Sequence, residues 1–493
     1  MTIHSAPPPA LLEALTARLG QAHVMTSAAD LEGYVTEMRG IYRGTALAAV
    51  RPRDAQEVAF VVRECARAEV PVVPHGGNTG LVGGGVPHGG IVVSLARLDR
   101  IREVDPANAT MTVEAGCILR NVQDAADAVD CIFPLSLPSE GSCRIGGNLA
   151  TNAGGTGVLR YGTMRDLTLG LEVVLADGRI WNGLKGLRKD NTGYDLKDLF
   201  VGSEGTLGII TAAVLKLFPK PKARVTAFVG CASPHEALAL FERLRGAAGD
   251  ELTAFEYMPR FGLDLVLKHV AGTVRPLAGD HGSYALIELS SPRPGADLQG
   301  LIETALEGAL EDGVAEDATV GASEAQNRAL WQLRESLPEV QAREGGSIKH
   351  DVAVPVARVA EFIETATRAC EAAMPGVRVC AFGHFGDGNV HFNLSQPVGF
   401  DKAAFIAEWE RFNRIVHDIV HAMNGSIAAE HGIGLIKRDE AALYKDPVGV
   451  DLMRTLKRAF DPQNILNPGK VVAIGEHLPA ALSGRPVRPG ARA

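Results

Sequence analysis

The chain has 493 residues, 46% hydrophobic and 22% charged, an ordinary globular composition and enough length for two or three domains. A formal net charge of -9 argues against a nucleic-acid partner, which would demand a concentrated basic face. There is no run of about 18 apolar residues to span a membrane, and Met1–Ala10 lacks the pattern of a secretory signal, so a soluble, cytoplasmic protein is expected.

In chain order, residues 1–44 read as a helical lead, with the polar helical pattern starting at Leu11. Thr45–Arg51 then reads as a strand, Asp54–Ala68 as a helix and Val70–Pro74 as a short buried strand. A glycine-rich loop from Gly76 to Gly90 leads to a strand at Ile91–Leu95, an α/β order. Further glycine blocks run from Gly141 to Gly162 and from Gly202 to Gly208, before a linker at Lys220–Lys222. Helical stretches then follow at Pro234–Ala248, Asp297–Asp312 and Val356–Met374, alternating with strands such as Tyr284–Leu289 and Val377–Phe382. One long amphipathic helix is predicted over Lys402–Met423, ending at Asn424-Gly425, and a last one over Val448–Phe460. The tail after Ile474, rich in Pro, Gly and Arg, is expected to be disordered. The seven cysteines are scattered and form no CxxC pair, which argues against an iron–sulfur cluster or zinc ribbon.

Pro74–Gly85 packs six glycines into twelve residues after an apolar strand. Such a loop can bring backbone N–H groups close to a pyrophosphate, although the spacing fits neither GxxxxGK[ST] nor GxGxxG, and a tight loop without a ligand is the competing reading. Pro138–Gly155 and Gly202–Gly208 add small residues with Ser, Thr and Asn donors, as if several loops touched one extended ligand.

These blocks resemble the FAD-binding domain of the vanillyl-alcohol oxidase / p-cresol methylhydroxylase family, from about Leu47 to Pro221. The resemblance implies that Gly76, Gly77, Asn78, Thr79 and Gly80 cradle the FAD pyrophosphate, with Pro74 a further cofactor contact. It implies that Pro138, Gly141, Gly146, Gly147, Asn148, Ala153 and Gly154 line the flavin and ribityl chain, with Gly205, Ile209 and Ile210 toward the adenine and Asn467 a further contact. Asn78 stands where covalent members attach the flavin through histidine, so the FAD is expected to be non-covalent.

The richest chemistry lies in Gly383–Asn393, GHFGDGNVHFN. Asp387-Gly388 signals a two-residue hairpin turn, which would set His384 opposite His391 with Cβ atoms roughly 5 Å apart, a distance one metal can bridge. A stacked or hydrogen-bonded pair of core histidines fits as well. In Ala428–Gly434, Glu430 and His431 are adjacent polar residues among small apolar ones, readable as a structural ion pair or as one metal-binding carboxylate beside a base.

Phe382–Asn393, Ala429–Gly434 and the closing Phe460–Gly469 resemble the FAD-linked oxidase C-terminal branch of the same family, which includes D-2-hydroxyglutarate, D-lactate and glycolate dehydrogenases; the hydroxyglutarate-type members are nearest. The resemblance implies metal ligands at His384, His391 and Glu430, with zinc expected and manganese the alternative, and a catalytic base at His431, which also contacts substrate. It places Arg334 and Lys349 on substrate-carboxylate positions and Asn393 on a substrate contact. Pro338 departs from the pattern, standing where the hydroxyglutarate enzymes carry a substrate-holding threonine, and it has no hydroxyl to offer.

The expected fold is therefore α+β. A two-subdomain FAD-binding domain of the p-cresol methylhydroxylase type (45–222) precedes an α+β substrate, or cap, domain with the metal site (223–400). A C-terminal helical segment (401–474) packs back on the FAD domain, and 475–493 is tail. The expected activity is metal-assisted, FAD-dependent oxidation of a D-2-hydroxy acid, 2-hydroxyglutarate-like, to the 2-oxo acid. A separate acceptor (electron-transfer flavoprotein, quinone or cytochrome) would take the electrons, and a homodimer is compatible with this reading. D-lactate or glycolate oxidation is the rival within the class. A zinc hydrolase with a nucleotide-binding domain, or a flavin binder without catalysis, is the rival outside it.

Overall fold

The computed structural model describes residues 8–474, so the tail at 475–493 and the first seven residues of the N-terminal lead lie outside the described residues. The protein is a mixed helix and sheet structure of two compact units, one comprising residues 8–155, 162–219 and 430–474 and the other 156–161 and 220–429. Among the described residues no helix is long and apolar enough to cross a membrane.

The first unit holds two main sheets. Strands Ala48–Val50, Ile91–Ser94 and Val72–His75 lie parallel, with Val24–Met25 antiparallel at one edge. The crossover helix Ala55–Arg67 starts where Asp54 accepts the Glu57 amide, and it buries Val58, Val61, Val62 and Cys65 against that sheet. The strands read as unbroken apolar runs because both faces are covered. The second sheet is antiparallel, in the order Ile101–Asp105, Thr110–Glu114, Ile209–Lys216, Thr168–Val174, Ile180–Gly183.

The second unit is built on a seven-stranded antiparallel sheet in the order Asp317–Val320, Ala223–Cys231, Ser283–Ser291, Leu252–Pro259, Arg378–His384, Asn389–Ser395, Ser347–Ala353. Helices Arg260–His269, Glu324–Glu335 and Leu337–Val340 share one apolar cluster with Phe228, Leu286, Cys380 and Phe382. On the opposite face Phe241 of helix Pro234–Ala248 meets Phe255, and Phe362 of helix Val359–Ala373 meets Phe392.

Two sequence expectations are corrected. The helix predicted over 402–423 breaks at Glu408 into Lys402–Ala407 and Trp409–Ala422. Both pieces belong to the second unit, whose boundary falls after Ala429 rather than 400. Phe405, Phe412, Val416 and Val420 are fully buried, and His417 packs edge-on against His350 of the large sheet.

Candidate active site

In the first unit the three glycine blocks converge by close backbone approach. A Cβ on Gly77 would lie 2.3 Å from the Ser142 carbonyl oxygen, and one on Gly146 2.8 Å from the Ala115 Cβ. Gly205, at φ +71°, would meet the Pro74 ring at 2.4 Å. Asn78 takes φ +54°, and its amide Nδ2 donates to the carbonyls of Gly33 and Thr36, so its side chain braces the loop. Thr79 and Gly80 continue that loop, while Pro138 leads into the turn Ser139–Ser142. Asn148 points to Cys143 Sγ at 3.7 Å; Ala153 donates its N–H to the Asn148 carbonyl, and Gly154 is buried beside it. Ile209 lies in the unit's apolar core and Ile210 is buried next to it on the same strand.

The closing motif joins these loops. Asn467 donates to the carbonyls of Gly84 and Glu204, and its own N–H reaches the Val72 carbonyl. Glu204 in turn accepts the amides of Ile433 and Gly434. Burial raises the Glu204 carboxyl pKa against the pull of those amides, and burial pushes the Lys470 ammonium down to about 7.

In the second unit one sheet face carries the polar chemistry. The hairpin register is corrected from the expected one. Phe382, not His384, lies opposite His391, and the loop is the four residues 385–388. A two-residue type I′ turn needs positive φ at both central residues, and of Asp387 and Gly388 only the latter has it. Asp387 caps the turn by accepting the Asn389 amide, and Gly388 is packed against the Val354 carbonyl. A register shift of two residues preserves the face. His384 and His391 therefore still share it as diagonal neighbours, with ring centroids 5.7 Å apart. Asp351 lies opposite His391 on the next strand, with Oδ1 3.8 Å from Nδ1, and accepts the Asn389 side-chain amide at 3.1 Å.

Glu256, opposite His384 on the other neighbouring strand, accepts a hydrogen bond from His384 Nδ1 at 2.6 Å, and its other oxygen is 2.8 Å from Arg334 Nε. Burial works to raise the Glu256 carboxyl, but its pairing with His384 and Arg334 outweighs that and holds the pKa at about 2. Arg334 also lies over the Phe382 ring, 4.9 Å from its centroid. Lys349 and Asn393 face each other across two strands; Lys349 Nζ donates to the Pro338 carbonyl at 2.9 Å and Asn393 Nδ2 to Gln341 Oε1 at 2.9 Å. Glu430 and His431 follow Ala429 by one and two peptide bonds. Asp351 and His391 offer ligand atoms within 4.8 Å of each other, and so, in the first unit, do Glu430 and His431.

Two family models match the chain: "FAD binding domain" over residues 46–183 and "FAD linked oxidases, C-terminal domain" over residues 220–471, more than half its length. The protein belongs to the FAD-linked oxidase family. A mitochondrial D-2-hydroxyglutarate dehydrogenase of Bos taurus is 39% identical over 457 residues, covering 92% of this chain and 82% of the relative. A putative mitochondrial D-lactate dehydrogenase of Schizosaccharomyces pombe is 37% identical, covering 91% and 86%. The crystal structure of p-cresol methylhydroxylase with substrate bound shares the fold, with TM-score 0.75 at 18% identity over 95% of this chain and 98% of that one.

This FAD-linked oxidase is thus an FAD-dependent oxidoreductase, and its glycines fit the cofactor in a specific way. Gly77, Gly146 and Gly205 are required by the protein's own packing. A Cβ on Gly80, Gly141 or Gly147 would meet nothing within 4 Å, which leaves those backbones approachable by a ligand. In the second unit the imidazole and carboxylate donors suit zinc or manganese. Three carboxylates had escaped sequence reasoning: Glu204, Glu256 and Asp351. The available signal was one already applied to Glu430, a lone carboxylate among small or apolar residues, as in Leu-Thr-Ala-Phe-Glu-Tyr-Met.

Proposed function

We propose that this FAD-linked oxidase is a dehydrogenase that oxidises a D-2-hydroxy acid of the 2-hydroxyglutarate type to the 2-oxo acid, with non-covalent FAD and a divalent metal. The observation that carries the reading is the polar sheet face of His384, His391, Asp351, Glu256, Asn393 and Lys349, in a family whose relatives carry hydroxy-acid dehydrogenase names. FAD supplies the acceptor for the α-hydrogen and its electron pair. A divalent metal on His384, His391 and Glu430 supplies a Lewis acid for the substrate oxygens. His431 accepts the hydroxyl proton, a task for which an imidazole is suited near neutral pH. Arg334, Lys349 and Asn393 hold the carboxylates, arginine with the better-matched fork. The seven cysteines are separately buried and unpaired, which favours a separate carrier as the final electron acceptor.

D-lactate is the second reading, favoured by one observation. Pro338 offers Lys349 only a carbonyl, so a distal carboxylate finds one hydroxyl donor fewer. Anaerobic mixing of the yellow enzyme with a panel of D- and L-2-hydroxy acids tests both. Bleaching by D-2-hydroxyglutarate ahead of D-lactate supports the first, and the reverse order the second. No bleaching by any hydroxy acid refutes the class.

A further inference from the structure

We infer that Glu256 is a positioning residue that fixes the metal-binding nitrogen of His384 and the substrate arginine Arg334 with one carboxylate. The inference rests on the metal-assisted reading above. Glu256 is 1% exposed, in a strand whose other residues are apolar but for Thr253. Its oxygens divide between two partners, Oε1 to His384 Nδ1 at 2.6 Å and Oε2 to Arg334 Nε at 2.8 Å.

An ionised carboxylate can only accept, so the His384 Nδ1 carries the hydrogen and the ring presents its lone pair at Nε2. A metal needs that tautomer in that orientation, and a carboxylate behind the histidine also raises its basicity. The second oxygen balances Arg334, which the Phe382 ring holds from another side. A buried ion pair seldom stabilises a fold more than well-packed apolar residues would. Its service here is geometric, tying a residue of the sheet to a residue of the helix Glu324–Glu335. The three residues sit 256, 334 and 384 along the chain, which keeps the link out of any sequence motif.

Glu256→Gln keeps the shape, loses the charge and removes the tautomer preference, because an amide can both donate and accept. The test is Zn²⁺ affinity of the FAD-loaded enzyme, stripped of metal and titrated against a chromophoric chelator. The expected loss is about 10–100-fold, the usual effect of removing such a partner, with FAD content unchanged. In a His384→Ala background the same substitution should change affinity less than about twofold, since the effect runs through His384. An equal loss in that background overturns the inference, as does wild-type affinity in folded Glu256→Gln. Should Glu256→Gln not fold, Glu256→Asp retains the charge but withdraws it by one methylene, and wild-type Zn²⁺ affinity there overturns the inference too. Wild-type enzyme that binds neither Zn²⁺ nor Mn²⁺ overturns the metal reading itself and this inference with it.

Discussion

Gly77→Ala and Gly147→Ala should fail in different ways, because one glycine serves the fold and the other faces open space. A methyl on Gly77 sits 2.3 Å from the Ser142 carbonyl oxygen and 3.1 Å from the Cys143 Cα. An ordinary C···O contact is about 3.3–3.6 Å, so the two loops must part by about 1 Å. Both neighbours are main chain, so no rotamer change relieves the clash. Overpacking costs about 1–3 kcal/mol, and this case belongs at the upper end. If the whole cost falls on the cradle, FAD affinity drops roughly 100-fold, and the melting temperature of the flavin-free protein falls by roughly 6–12 °C. Gly147→Ala meets nothing within 4 Å, so the flavin-free melting temperature should hold within about 1 °C. FAD affinity should nevertheless fall, by roughly 5–150-fold if the methyl intrudes on the ligand. Flavin-fluorescence titration of the stripped proteins, beside thermal unfolding, separates the two. A Gly77→Ala protein with wild-type stability and affinity would refute the close-approach argument. Wild-type FAD affinity in Gly147→Ala would remove the Gly141–Gly147 loop from the cradle.

Three further outcomes are expected. His384→Ala and His391→Ala should each lower bound zinc or manganese about 10-fold or more together with activity, leaving FAD content near wild type; elemental analysis beside flavin absorbance checks this, and an active, metal-free preparation contradicts it. His431→Ala should slow flavin reduction by about 10²–10⁴-fold with both cofactors retained, read by anaerobic stopped flow on metal-analysed protein; near-normal reduction moves the base elsewhere. The first unit should lose stability in acid, because burial holds His75 and His88 down to about 4, with Lys470 and Arg438 adding to His88. A depressed histidine pKa means the unfolded chain takes the proton first. This contribution is present in full above the unfolded value of 6.5 and is lost as pH falls from 6.5 toward 4. The slope is up to about 1.4 kcal/mol per pH unit per histidine. Denaturant midpoints at pH 7.5 and 5 check the sign, and equal midpoints would contradict it.

Local signals carried far in this chain. Helix Pro234–Ala248 has the predicted bounds, because Ser233 and Pro234 mark its start and Gly249 its end. The strand before the first glycine loop was visible in Val70–Pro74, since a fully buried parallel strand is an unbroken apolar run. The break at Glu408 was not, because the apolar spacing continues across it through Phe405 and Phe412. The hairpin was visible from Asp387-Gly388 but its register was not, since the turn type depends on Gly388 packing against Val354, just past the end of strand Ser347–Ala353. Glu256 was invisible for a related reason. Its meaning comes from His384, 128 positions away, and distance along the chain hides partners that adjoining strands bring together.

The hydrogen bond from Asn467 to the Gly84 carbonyl closes a loop of 383 positions. Residues 465–467 also extend the edge of the small parallel sheet at Val72, one of the earliest strands to be made. On the ribosome that edge waits until residues 465–467 have emerged, while the sheet of residues 220–429 has all but six of its unit's residues in one uninterrupted stretch. Synthesis thus runs ahead of the nucleotide-binding half, whose fastening at residues 465–467 is translated after the whole of the second unit. A stop codon shortly before residue 461 would leave every glycine loop intact in sequence. It would still remove the Asn467 amide that ties the carbonyl of Gly84 to that of Glu204.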